Sequence, residues 1–186
     1  MSMHRNGEAV GCLLLGETKR MRALCDMLCA RGVAAVMAAT DGNLLTAAQE
    51  GLYAARRKGG TCIAAEGEWW AAALALAAQM CVERILLIAP TDLAKPANDE
   101  REKQIVRLKG FARRNLFFCV SEVLVLEDEI SAQSDRRIDS LCRRMCNSSV
   151  RRISLSDQRW TNCELSPIEA AVRFLDGGEF AFSLAK

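Results

Sequence analysis

Histidine occurs once in the 186 residues, as His4. One imidazole excludes zinc sites of the HExxH kind, which need two on one helix face. It also leaves Ser-His-Asp chemistry short of its base, because His4 lies in a polar leader ahead of the first apolar run. An excess of one charge is lacking too: 25 Lys+Arg against 23 Asp+Glu give a formal charge of +2. That balance does not support nucleic-acid binding, and no nucleic-acid partner is expected. No uninterrupted apolar run approaches the about 20 residues that span a bilayer. The opening stretch MSMHRNGEAV has no signal-peptide core, so no membrane partner is expected and the expected location is the cytoplasm. Neither GxGxxG nor GxxxxGK[ST] occurs, since Gly7, Gly11 and Gly16 do not make the first pattern, and nucleotide binding has no motif behind it. CxxC is missing as well, and there is no internal repeat or low-complexity tract.

Cysteine, by contrast, is plentiful: nine residues, at Cys12, Cys25, Cys29, Cys62, Cys81, Cys119, Cys142, Cys146 and Cys163. An odd number spread through apolar segments is not a disulfide framework, and nine free thiols imply a reducing compartment. Cys25/Cys29 and Cys142/Cys146 stand four apart in helix-like stretches, so each pair shares a helix face. Packing as small hydrophobes is the expectation for both pairs, because a tetrahedral metal site wants four ligands and histidine is missing. No metal and no cofactor are expected. An apolar fraction of 51% and a charged fraction of 26% suit a globular chain. The length suits one domain, 1–186, with a core of its own.

Short apolar runs alternate with longer helical stretches. Strands are predicted at Val10–Gly16, Val33–Ala38, Thr61–Ala65, Arg84–Ala89, Glu122–Leu126 and Val150–Leu155. Helices are predicted over Glu17–Arg31, Leu44–Lys58, Trp69–Cys81, Ser134–Cys146 and from Ser166-Pro167 to Leu175, the last with proline in its first turn. Thr91–Glu102, polar and interrupted by Pro96, reads as a loop. Lys103–Phe118 reads as an amphipathic basic helix, or as a helix pair broken at Gly110. Six strands alternating with helices imply a parallel sheet covered on both faces, a three-layer αβα sandwich. In such sheets the functional crevice lies off the carboxyl ends of the strands. The residues to watch are therefore Gly16-Glu17-Thr18, Thr40-Asp41-Gly42, Glu66-Gly67-Glu68, Pro90-Thr91-Asp92, Glu127-Asp128-Glu129 and Ser156-Asp157-Gln158.

The run Cys62-Ile63-Ala64-Ala65-Glu66-Gly67-Glu68-Trp69-Trp70-Ala71-Ala72-Ala73-Leu74 resembles the nucleophile elbow of the α/β-hydrolase superfamily, where a strand turns through G-x-S-x-G into an alanine-rich helix. The resemblance in element order runs from Val10 to Leu175. It implies an α/β-hydrolase-like core of six parallel strands in the order 2-1-3-4-5-6, lacking the family's first two strands, with 91–118 as a cap-like insertion. It also identifies a chemical loss. The nucleophile position is Gly67, the first motif glycine is matched by Ala65 and the second by Trp69. The family's acid falls at Asp128, with Glu127 and Glu129 as competing alignments. Its histidine should lie in Ser156-Asp157-Gln158-Arg159-Trp160, where there is none.

These readings lead to a hydrolase-like protein without a Ser-His-Asp triad, a pseudoenzyme with a non-catalytic binding or structural role. Its binding crevice would comprise Gly16, Glu17, Thr18, Gly67, Trp69, Gln158 and Trp160, with a small molecule as ligand. A first rival keeps an enzyme in the same crevice, with Glu66, Glu68 or Asp128 as acid or base; Glu66 and Glu68 would form a carboxylate pair of raised pKa. The plainer expectation for both is solvated loop acids near a helix N-terminus. A second rival is a Rossmann-like or flavodoxin-like small-molecule binder holding phosphate at Gly16-Glu17-Thr18. One of Trp69 and Trp70 is expected in the core and the other over the crevice. Cys62, inside a strand, is not expected to be a nucleophile. The pairs Arg113/Arg114, Arg136/Arg137, Arg143/Arg144 and Arg151/Arg152 are expected on solvated faces. A homo-oligomer, through the 103–118 helix or the Phe180-Ala181-Phe182 tail, would cover their apolar surface.

Overall fold

The computed structural model describes residues 10–38, 43–56, 60–91, 99–128, 135–155 and 166–178. Six strands are present: β1 Val10–Leu15, β2 Ala34–Met37, β3 Gly60–Glu66, β4 Arg84–Ile88, β5 Glu122–Glu127 and β6 Ser149–Ser154. They form one parallel sheet in the order β2-β1-β3-β4-β5-β6. This is the order expected from the sequence, and it differs from the 3-2-1-4-5-6 order of dinucleotide-binding sheets. Gly11–Leu15 of β1, Thr61–Ala65 of β3 and Ile85–Ile88 of β4 are buried, so these stretches read as near-continuous apolar runs rather than alternating ones.

Among the described residues six helices cover the sheet: α1 Lys19–Ala30, α2 Leu44–Arg56, α3 Trp70–Ala77, α4 Glu100–Asn115, α5 Asp135–Arg144 and α6 Pro167–Asp176. Because alternate strand residues face opposite ways, the core divides in two. Cys12, Leu14, Cys62, Ala64, Leu86, Leu124 and Leu126 pack with α1 and α6. Leu13, Leu15, Ile63, Ala65, Ile85, Leu87, Val123 and Val125 pack with α2, α3, α4 and α5. α3 is buried all round, in keeping with its eight residues WAAALALA. α6 is fixed at its start by a reciprocal cap between Ser166 and Glu169, with Pro167 in the first turn.

The structure moves several boundaries. α4 begins within the predicted loop, because Asp99 accepts a hydrogen bond from the Glu102 amide at 2.7 Å and caps the helix there. Of the two readings of 103–118, the single helix is the one observed. α4 runs through Gly110 to Asn115, and Leu116–Phe118 follow as a 3-10 turn. α3 is shorter than predicted and stops at Ala77. Among the described residues no helix is long and apolar enough to cross a membrane.

Candidate functional site

The carboxyl ends of β1 and β3 are neighbours in the sheet, and the chain leaves both through glycine. Gly16, at φ +153°, has no room for a side chain: a Cβ there would sit 3.0 Å from Met21 Cγ and 3.4 Å from Glu66 Cβ. Its bareness lets Glu66 come in against the start of α1. Thr18, the cap of that helix, accepts from the Met21 amide and donates its hydroxyl to Glu66 Oε2. Arg20 adds a guanidinium 3.5 Å from Glu66 Oε1.

β3 then bends sharply. Gly67 takes the left-handed conformation, φ +59°, at the start of a 3-10 turn over Gly67–Trp69 that runs into α3. A residue with a side chain is strained there, and glycine is not. Among the described residues a Cβ on Gly67 would meet only Thr91 Oγ1, at 3.8 Å. The strand-turn-helix of the elbow is therefore present with glycine at its apex. Glu68 leaves on the other side of the bend and binds Lys109 of α4, Oε1 to Nζ 2.6 Å. The two carboxylates thus go to opposite layers, Glu66 to α1 and Glu68 to α4. The expected Glu66/Glu68 carboxylate pair does not form, and neither acid is simply solvated: each is tied to a cation of a different helix.

α4 borders this end of the sheet. Arg101 binds Glu17 at 2.8 Å and lies 5.7 Å from the Trp69 ring. Gln104 accepts from the Leu44 amide at 3.0 Å. Trp70 is the core tryptophan, fully buried, with its indole N–H donated to the Thr91 carbonyl at 2.9 Å and Arg113 5.9 Å from its ring. Trp69 is half-buried.

Asp128 follows β5, half-buried. β4 stands between β5 and β3, so Asp128 leaves the sheet two strand spacings, about 10 Å, from the elbow strand. Its competitor Glu127 is already engaged: Arg152 binds it at 2.6 Å and reaches Asp139 at 3.0 Å. Arg152 is therefore a partly buried ion-pair residue, not a solvated one. Arg151, placed 5.7 Å from the Phe174 ring, and Arg113 also have contacts beyond water. Between Asp128 and the elbow, β4 ends on Ala89, which adopts φ +44° and gives its amide to Leu126 O at 2.7 Å. Gln158, Trp160, Glu129, Asp41, Asp92, His4 and the Arg136/Arg137 side chains lie outside the described residues.

Cys62 is buried in β3 with its thiol directed to the Leu175 carbonyl at 3.5 Å, and burial pushes its pKa up to about 12. It stays protonated and unreactive, as expected. The CxxxC pairs are less buried than expected: Cys25 and Cys142 are half-buried, while Cys29 and Cys146 are exposed. Among the described residues no three His, Cys, Asp or Glu side chains converge as metal ligands would.

Lys109 is the residue that reading the sequence missed. A signal was available, because Lys109 shares the apolar helix stripe of Ile105, Leu108 and Ala112, and a lysine in such a stripe requires a counter-charge. Arg20 and Arg101 gave no comparable signal.

No protein-family model and no curated protein sequence matches this chain. Solved structures do. An esterase domain of a Rhodothermus marinus protein superposes with a TM-score of 0.60 at 16% identity, over 81% of this chain and 78% of that one. A metagenome-derived lipolytic enzyme described with LipS and LipT gives 0.61 at 10% identity, over 80% of this chain and 86% of that one. A Paleococcus ferrophilus monoacylglycerol lipase gives 0.63 at 11%, over 91% and 96%. At such identities the likeness is one of fold, and the fold it shows is the one the elbow segment resembled: an α/β-hydrolase-like core.

Proposed function

We propose that this chain is a hydrolase-fold protein without serine-hydrolase chemistry, whose crevice binds a small molecule or serves a structural role. One observation carries the reading: the apex of the elbow is Gly67, left-handed and without a side chain. Glycine takes the bend without strain, and the bend is present where there is no side chain for it to present. The engaged state of the flanking acids supports the same reading. A general acid or base must be free to exchange its proton with substrate, whereas Glu66 is held by Thr18 and Arg20, and Glu68 by Lys109. The ester and lipid chemistry named for the structural neighbours belongs to those proteins. The free cysteines of the described residues support a cytoplasmic, reducing location. The stretch 91–118 is read as a cap-like insertion of a single domain, whose described helix, α4, brings Arg101 beside Trp69.

A fluorophosphonate probe tests the reading, with intact-mass detection and a thermal-shift screen against acyl esters, nucleotides and acidic metabolites. The expected result is no adduct on any serine and at least one stabilising ligand whose shift is lost in Trp69→Ala. Stoichiometric labelling of a serine near the elbow, or steady turnover of an ester by the purified chain, overturns it.

A further inference from the structure

The spacing of Cys25/Cys29 and of Cys142/Cys146 predicts packing, yet the structure leaves one thiol of each pair exposed and the other only half-buried. The two pairs differ in what holds them. Both members of the first lie within α1, which Thr18 caps at its start. At its end the Arg31 and Gly32 amides fold back on the Leu28 and Cys29 carbonyls, each at 3.0 Å, and Arg31 ties the turn to Asp176 of α6 at 2.7 Å. Cys29 therefore sits in a closed last turn. Cys25 packs on the core that holds Cys12, Leu24 and Leu28. Burial, and then the neighbouring Cys29 thiol, hold Cys25 above the ordinary thiol value, with Asp26 adding to the effect, so the two thiols stand side by side. The second pair has no such arrangement. α5 ends at Arg144, so Cys146 lies beyond the helix. Apart from burial, the side chains that act on Cys142 are Arg152, Glu127 and Asp139, none of them a thiol.

Two cysteines one turn apart on a helix have Cβ atoms about 5–6 Å apart, whereas a disulfide needs about 3.5–4.5 Å. The intact α1 thus keeps Cys25 and Cys29 from bonding to each other, and leaves between them a gap that one two-coordinate ion spans. The ligand set selects the ion. Two soft sulfurs favour Cu(I). Zinc wants four ligands, and among the described residues no third His, Cys, Asp or Glu converges with this pair. The surrounding charge agrees. Two thiolates on one Cu(I) leave a single negative charge, and the exposed Arg22 lies one turn before Cys25 on the same helix face.

We propose that Cys25 and Cys29 form a Cu(I) site on α1, made by the two thiolates alone. Each thiol gives its proton to water as its sulfur–copper bond forms. The copper enters and stays as Cu(I), so no electron is transferred. The site lies toward the end of α1 remote from the crevice, and it does not depend on the function proposed there.

Titrating the reduced full-length chain, without oxygen, with Cu(I) held by the coloured chelator bicinchoninate tests this, uptake being read from the loss of colour. One Cu(I) per chain is expected. Cys25→Ser and Cys29→Ser each remove one of two tethered ligands and should weaken uptake at least about a hundredfold. Cys142→Ser/Cys146→Ser should leave it unchanged. Copper should also shield Cys25 and Cys29, and no other cysteine, from N-ethylmaleimide, as mapped by peptide mass. Cys25→Ala replaces Cys25→Ser if the serine variant does not fold. Absence of uptake, uptake that survives the loss of Cys25 or Cys29, or uptake lost in Cys142→Ser/Cys146→Ser overturns the proposal. So does sedimentation showing one copper shared by two chains, because the exposed Cys29 of two copies would then hold the ion between them.

Discussion

Removing the charge of Glu68 while keeping its shape, as Glu68→Gln does, isolates the contact that ties α4 to the elbow. The magnitude follows from the unequal burial of the two partners. Lys109 keeps 8% of its side chain in water and Glu68 keeps 27%, with 2.6 Å between Nζ and Oε1. Breaking a buried pair from one side costs about 3–5 kcal/mol, because a charge is left in a poor solvent. Glu68 is partly solvated and Lys109 has a further contact, which bring the figure below that range, so Glu68→Gln should cost about 2–3 kcal/mol. Lys109→Met leaves the better-solvated partner behind and returns an apolar residue to an apolar stripe, so its cost should be smaller, about 1 kcal/mol. The double variant leaves no charge and should lie within about 1 kcal/mol of the unaltered protein. Urea unfolding followed by tryptophan fluorescence measures all four corners, with Trp69 and Trp70 beside the altered contact. The cycle should give a coupling of about 2–4 kcal/mol. Single effects that add to the double within about 0.5 kcal/mol would refute the claim that the pair is energetically linked, and would make Lys109 a packing residue only.

Two alanine substitutions at helical glycines should have opposite signs. In Gly51→Ala the new Cβ lies 2.6 Å from Leu13 Cδ1 in the core, so the helix gain is lost to overpacking and thermal unfolding should show a net loss of about 1–2 kcal/mol. In Gly110→Ala the new Cβ meets, among the described residues, only the guanidinium end of Arg114, at 3.6 Å, and stability should rise by about 0.5–1 kcal/mol. Ala89→Gly relieves a left-handed alanine and should stabilise by about 0.5–1 kcal/mol after the added freedom of the unfolded chain is subtracted; a loss would show that the alanine methyl packs more than the strain costs. Burial raises Cys62 to about 12 and Cys119 and Cys142 to about 11, above the ordinary 9.0. The folded state then holds more protons than the unfolded one above pH 9, so stability is flat below that value and falls between pH 9 and about 11–12. Cys62→Ala should make the fall shallower by up to about 1.4 kcal/mol per pH unit, and an unchanged slope would remove that thiol from the account.

The fold was legible because its signals are local. LLL before Gly16, CIAA before Glu66 and RILLIA before Pro90 are strands in either context, and Gly67 marks a bend that only a glycine takes without strain. Once six such runs alternate with helices, few orders remain, and the elbow resemblance picked the observed one. The site was less legible because its contacts join residues far apart in sequence: Thr18 with Glu66, Glu17 with Arg101, Glu68 with Lys109. Local reading placed Glu66 and Glu68 together because they are two residues apart. In the structure that spacing straddles a reversal of the backbone, and it sends them to opposite layers. The same geometry bears on what the crevice does. In an elbow that carries a nucleophile, the bend holds the reacting atom clear of the sheet. Here the apex has no such atom, and the residues flanking it are anchored by α1 on one side and α4 on the other. A bend fixed from both layers keeps the mouths of β1 and β3 at constant spacing, which is what the proposed binding crevice requires.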